Sequence, residues 1–223
     1  MPKPYQVCKG VFQVGGSGLS HPNDCSVYVV DAGSLVMIDA GAGESFDELV
    51  ANIKGAGLPL EKLKAVIVTH AHIDHVGPLS RLRQKYGLEI IVHELDAPGI
   101  ETGRGIGAEF YGVDYRPCPV DRRITGEDTT LTIGNRQFRL LHIPGHTPGS
   151  LAVVIDCDGN KVLFGQDIHG PYLPRWGGDP VAARKSLQKL LDLKADILCE
   201  GHFGVYRPAE AVDRYIRGYL EGL

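Results

Sequence analysis

Thr69-His70-Ala71-His72-Ile73-Asp74-His75-Val76-Gly77 is the stretch on which the reading of this chain turns. It follows Lys64-Ala65-Val66-Ile67-Val68, apolar throughout its core and so expected to be a strand buried on both faces. His70, His72, Asp74 and His75 therefore leave a single strand end. If the backbone stays extended, His70, His72 and Asp74 project to one side and His75 to another. Imidazole nitrogens and carboxylate oxygens together suit Zn²⁺ or another first-row divalent ion.

Three further elements place a ligand-type residue just past a strand. Pro144-Gly145-His146-Thr147-Pro148-Gly149 presents a histidine in a tight turn. Asp167 follows Val162-Leu163-Phe164, and His202 follows Ile197-Leu198-Cys199. In layered sheet folds, sites collect at such strand ends.

Strand-like and helix-like runs alternate along the chain. Val11–Val14, Ser26–Val30 and Ser34–Ile38 read as three strands. A helix follows, with Ser45 and Glu48 at capping-box spacing and Phe46, Leu49, Val50 and Ile53 on one face. A second helix is expected from Pro78 to Tyr86, stopped by Gly87, before a strand over Glu89–His93. Residues 95–125, rich in glycine and carrying Phe110, Tyr111 and Tyr115, read as a long lid-like loop with one helical turn. Strands are expected over Thr129–Gly134, Gln137–Ile143, Leu151–Asp156 and Lys161–Phe164, the last two joined at Asp158-Gly159. Asp179-Pro180 starts a helix, Asp196–Cys199 is a short strand, and Pro208 opens the last helix. No linker or repeat divides the 223 residues, so one domain over 1–223 is expected.

The composition is that of an ordinary globular protein, 43% hydrophobic and 22% charged, with a net charge of −4. It provides no basic excess to attract nucleic acid or a membrane surface. Met1-Pro2-Lys3-Pro4-Tyr5-Gln6 has no apolar run behind it, and no segment is long and apolar enough to span a bilayer. The five cysteines are widely spaced and read as reduced thiols of a cytoplasmic protein. The unusual count is nine histidines.

The order of these motifs, from Asp39 through His70–His75, His146 and Asp167 to His202, resembles the metallo-β-lactamase fold superfamily. The resemblance implies an α/β fold, an αββα four-layer sandwich of two mixed β-sheets flanked by helices. It also implies a site for two divalent metal ions, zinc first, with iron or manganese open. His70, His72 and His146 would hold one ion, Asp74, His75 and His202 the other, and Asp167 would bridge them. Asp39 would orient a ligand histidine.

Within the superfamily, the ligand set is similar to that of glyoxalase II-like thioesterases and lactonases. The implied activity is hydrolysis of a carbonyl ester (thioester, lactone or related small molecule) by a metal-bridging hydroxide, with Asp74 as the catalytic carboxylate. The family's glutathione-binding pattern is not evident. Asp167 stands where two-zinc β-lactamases have a cysteine, so antibiotic hydrolysis is not expected. Alternatives are a mononuclear iron persulfide dioxygenase using His70, His146 and Asp167, a phosphodiesterase of the same fold, and a non-enzymatic metal-binding module. His21, His169 and Tyr172 are candidate substrate contacts, and Trp176 with the aromatics at 110–115 a candidate apolar wall. His93 and His142 are left with structural roles. The expected partner is a small-molecule substrate, with a homodimer open.

Overall fold

The structure, a computed structural model, describes residues 3–223; Met1 and Pro2, at the head of the N-terminal stretch read above, lie outside the described residues. The first sheet comprises β1 (Tyr5–Cys8), β2 (Val11–Gly15), β3 (Val27–Asp31), β4 (Leu35–Ile38), β5 (Leu63–Ile67), β6 (Glu89–His93) and β7 (Arg122–Ile124), side by side in chain order. Pairing is antiparallel from β1 to β4 and parallel from β4 to β7. The second sheet comprises β8 (Asp128–Ile133), β9 (Arg136–His142), β10 (Leu151–Cys157), β11 (Asn160–Gly165), β12 (Ile197–Glu200) and β13 (Val205–Tyr206). Only β11 and β12 pair parallel in it. The helices are α1 (Phe46–Gly55), α2 (Ile73–Val76), α3 (Leu79–Tyr86), α4 (Ala97–Thr102), α5 (Ala108–Tyr111), α6 (Pro180–Asp192) and α7 (Ala209–Glu221).

Period-two alternation with both faces apolar produces the layers. In β3, Val27 and Val29 pack with Leu49 and Ile53 of α1 and Leu82 of α3, whereas Tyr28 and Val30 pack with Phe138, Val153 and Phe164 of the second sheet. In β10, Val153 and Ile155 face the first sheet, and Ala152 and Val154 lie with Leu187 and Leu190 of α6 and Ile216 of α7. The result is helix, sheet, sheet, helix, the expected αββα sandwich. Each aliphatic or Phe side chain buried between the sheets contributes about 1.5–3 kcal/mol relative to exposure. Tyr28 adds a polar tie: its ring meets Phe164 edge-on at 5.4 Å and its hydroxyl donates to the Glu200 carbonyl at 3.1 Å.

Strand direction positions the site. The parallel strands β4 and β5 end at one edge of their sheet, and β11 and β12 at one edge of theirs. β9 runs in the same sense as β11 because both are antiparallel to β10. The segments carrying Asp39, His70, His146, Asp167 and His202 all follow these strand ends. Leu151 N donates to Thr69 O (2.8 Å), Ser26 N to Gly201 O (2.6 Å) and Gln166 Nε2 to Ser26 O (3.0 Å), joining the two edges.

Several local expectations need correction. The backbone does not stay extended through His75: it turns into α2 at Ile73. Ile73 and Val76, three apart on one helix face, are both fully buried, and that burial drives the turn. Residues 95–125 are not one loop but hold α4, α5 and β7. Gly103 and Gly112, which read as loop signals, are left-handed caps of α4 and α5 with φ of 72° and 66°. The Ser45 hydroxyl does not cap α1; it donates to Asp24. The short edge strands β1 and β13 were not anticipated. Asp158-Gly159 does join β10 to β11, and Asp179 does cap α6, accepting from Val181 N at 2.8 Å. Among the described residues no helix is long and apolar enough to cross a membrane.

Candidate active site

His70, His72, His146 and Asp167 form one group of side chains, and Asp74, His75, His202 and Asp167 form another; within each, the donor atoms lie within 4.8 Å of one another. Asp167 belongs to both because its two oxygens face apart. Oδ2 lies 3.7 Å from His70 Nε2 and 3.4 Å from His146 Nε2, whereas Oδ1 lies 3.5 Å from His75 Nε2 and 3.2 Å from His202 Nε2. Asp74 Oδ2 closes the second group, 3.3 Å from His202 Nε2 and 3.5 Å from His75 Nε2. His72 turns its Nδ1 toward His146 Nε2 at 2.9 Å. The turn at Ile73 is what separates Asp74 from His70 and His72 and sends it to the second group.

Three of the other ring nitrogens, those of His70, His75 and His146, are held by the scaffold. Asp39, fully buried, accepts from Thr69 N (2.8 Å) and Thr69 Oγ1 (2.7 Å) and lies 2.9 Å from His75 Nδ1. With its proton committed to Asp39, Thr69 Oγ1 accepts from His70 Nδ1 at 3.3 Å. His146 Nδ1 donates to the Pro171 carbonyl at 3.1 Å. Each contact leaves the Nε2 lone pair for the site. Asp39 and Asp167 both hold left-handed backbone, with φ of 59° and 52°, a conformation that costs an aspartate less than most residues.

The two groups differ electrostatically. Burial lowers the pKa of His70 well below its ordinary value, that of His72 to about 4, and that of His146 as well, so all three stay neutral with lone pairs available. Burial also opposes a charge on His202, but the Asp167 and Asp74 carboxylates, 3.2 and 3.3 Å from its Nε2, override it and raise the pKa to about 10. Burial pushes the Asp74 and Asp167 carboxyls up; His75 and His202 more than offset this and hold both below the usual range.

The residues fit divalent cations. His70 Nε2, His75 Nε2 and Asp167 Oδ1 are buried without a hydrogen-bond partner among the described residues. Buried polar atoms left unpaired cost about 1–3 kcal/mol each, so convergent orphaned donors of this kind fit a metal centre. An all-imidazole and carboxylate set accepts first-row divalent ions without selecting one. The chain thus carries two His/Asp groups able to hold two metals. Cys25 lies beside Asp39 and His75, but burial raises its thiol pKa, and it packs as a small apolar side chain.

A cavity of about 710 Å³ opens over both groups, with His72, Asp74, His146, Asp167 and His202 in its lining and Phe110, Tyr111, Trp176 and Phe203 around them. His169 also lines it, with Nδ1 2.7 Å from Glu200 Oε1. Two candidate contacts do not line it. His21 is turned to Glu44 (3.5 Å) and accepts from Asn23 N, and Ser17 of the same loop lines the cavity instead. Tyr172 donates its hydroxyl to the Ile168 carbonyl and lies behind His146 against Ile143 and Leu187. His93 and His142 stack 4.0 Å apart, and His142 Nε2 donates to Pro148 O at 2.8 Å, supporting the turn that carries His146.

Two carboxylates escaped the sequence reading. Asp96 accepts from Ala71 N (2.9 Å), Thr147 Oγ1 (2.8 Å) and Gly149 N (2.8 Å), tying the His70–His72 segment to the His146 turn. It stands at the start of the 95–125 stretch that reads as a loop, although the structure puts it at the N-terminus of α4. Glu200, fully buried, accepts from His202 N (2.7 Å) and Phe203 N (2.9 Å) besides meeting His169. A carboxylate ending an apolar strand just before Gly201-His202 was the available signal.

Comparison with known proteins agrees with this geometry. The chain is 32% identical over 190 residues to hydroxyacylglutathione hydrolase GloC of Haemophilus influenzae, covering 82% of this chain and 86% of that protein. It is 27% identical over 225 residues to a metallo-beta-lactamase fold-containing protein of Sulfurisphaera tokodaii, covering 90% and 81%. The solved structure of BJP-1, a subclass B3 metallo-beta-lactamase of Bradyrhizobium japonicum, superposes with a TM-score of 0.82 at 21% identity, covering 99% of this chain and 92% of that one, a likeness of fold. The family model described as the metallo-beta-lactamase superfamily matches residues 22–202, and the chain belongs to that superfamily.

Proposed function

We propose that this protein is a dinuclear metal-dependent hydrolase of a carbonyl ester: a thioester, a lactone or a related small molecule. The observation that carries the reading is Asp167, whose two oxygens each face a separate cluster of donors. His70, His72 and His146 would hold one ion and Asp74, His75 and His202 the other, with Asp167 shared; zinc is the ion we assign. When bound, two such ions supply a water acidified toward neutrality and positive charge for the carbonyl oxygen. The chain's own residues do the rest. The aromatic side chains of the wall offer an apolar surface to the substrate. Asp74, held ionised by its histidine neighbours, takes the proton of the attacking water and returns it to the leaving group. His169, braced by Glu200, contacts the substrate beside it.

The relative named for hydrolysing a hydroxyacylglutathione supports an acyl substrate. The net charge of −4 and the free thiols support a small-molecule substrate, rather than nucleic acid or a membrane, and a cytoplasmic enzyme working as one domain. Elemental analysis of the purified protein, paired with a substrate panel, tests the reading. About two ions per chain with thioester or lactone turnover supports it. One iron with oxygen uptake on a persulfide, turnover of phosphodiesters alone, or metal without any turnover overturns it.

A further inference from the structure

We infer that the substrate carries a carboxylate, paired by Arg175, beyond an apolar body that lies against Trp176 and Phe110. The inference rests on the hydrolase reading above and names the class of ester it acts on. Pro174–Trp176 forms a short 3₁₀ turn over the cavity. The Trp176 ring stands edge-on to His72 with centroids 6.2 Å apart and faces Phe110 of α5 at 5.9 Å. The Arg175 guanidinium lies over the same indole, its central carbon 4.7 Å from the ring centroid. Imidazole, indole and guanidinium are thus in successive contact along the cavity wall.

Arg175 is the sole lysine or arginine in the cavity lining, and among the described residues no carboxylate lies within ion-pair distance of it. Stacking on an indole holds a guanidinium by its face and leaves its in-plane N–H groups free, in the fork geometry that grips a carboxylate. In a chain with 27 acidic and 23 basic residues, an unpaired guanidinium in the cavity lining favours an anionic ligand group there. The apolar part of the ligand has its own mark. Phe110 and Phe203 both line the cavity yet are 69% and 58% exposed, an unusual placement for large aromatics unless something covers them.

The test compares two thioesters of ethanethiol, the 4-carboxyphenylacetyl and the 4-carbamoylphenylacetyl compound, whose carboxylate or amide stands beyond the aromatic body and which differ in one negative charge. For the metal-loaded protein, kcat/KM is expected to be roughly two- to fivefold higher for the carboxylate compound, the range of one rim-exposed charged pair. Arg175→Gln brings the two compounds level, and Arg175→Glu reverses the preference. Trp176 is the single tryptophan, so its fluorescence reports binding of the uncleavable ketone analogues, with sulfur replaced by methylene. Equal kcat/KM for the two thioesters, or a preference that survives Arg175→Gln, overturns the inference and leaves the hydrolase reading standing. No turnover of any ester, with the binding preference intact, overturns the hydrolase reading and keeps the anion pocket.

Discussion

His75 Nδ1 lies 2.9 Å from Asp39 Oδ2, with both side chains wholly buried. The same carboxylate takes the Thr69 hydroxyl proton, and Thr69 in turn receives His70 Nδ1. One aspartate, held in left-handed backbone at the end of β4, thereby aims one histidine of each metal-binding group.

Asp39→Asn replaces a carboxylate that serves three hydrogen-bond donors with an amide that offers a donor of its own. Affinity for the metals is expected to fall by about 10–100-fold, as for other supporting carboxylates. Titration against a coloured chelator measures it. Unchanged affinity would mean that His75 does not depend on this contact. Asp39→Ala should also destabilise the fold, by about 1–3 kcal/mol for each buried group it leaves unpaired.

His202→Ala and Asp167→Ala separate the two groups. His202 serves only the second, so its loss should leave about one ion per chain, because His70, His72, His146 and Asp167 remain. Asp167 serves both, and its loss should bring metal content toward zero. Elemental analysis reads both variants; equal metal content in the two would contradict the shared carboxylate.

Gly201→Ala should damage the site without touching a ligand. A Cβ there would fall on Asp167 Oδ1 and Gln166 Oε1. The carboxylate must swing away from His75 and His202, so the second ion should be lost first and turnover with it. A fully loaded, fully active variant would show that Asp167 has room to move.

The ion pair of Arg83 with Asp121 offers a pH test away from the site. Burial pushes the Asp121 carboxyl up, but the Arg83 guanidinium and the Ile90 N–H bring it below its ordinary 3.8. A depressed carboxylate stabilises the fold above its unfolded pKa, and that contribution disappears as pH falls through the lower, folded value. Asp121→Asn should therefore lower the melting temperature at pH 7 by about 2–4 °C or less, the scale of a partly exposed pair. The gap between variant and parent should narrow once the pH drops below 3.8 and close further down. A gap that persists in acid would assign the loss to something other than charge.

The order of strands and helices was legible in the sequence because each signal is local. Apolar alternation marks β3 and β10, Asp179-Pro180 marks the start of α6, and Asp158-Gly159 marks a hairpin. The seven ligand-type side chains were legible for the same reason: each stands within a few residues of a readable strand end. Their division into two groups, which the resemblance implied, has its physical cause in the tertiary structure. Asp74 leaves His70 and His72 because Ile73 and Val76 must be buried, and burial depends on what the rest of the chain packs against them. Tertiary structure also decided which residues support the site. Asp96 and Glu200 look like a loop residue and a strand end, and their partners lie 51 and 31 residues away in Thr147 and His169. The cavity wall, Phe110 against Trp176, joins segments whose approach no short-range pattern records, since side-chain periodicity specifies a face and not the neighbour that face will meet.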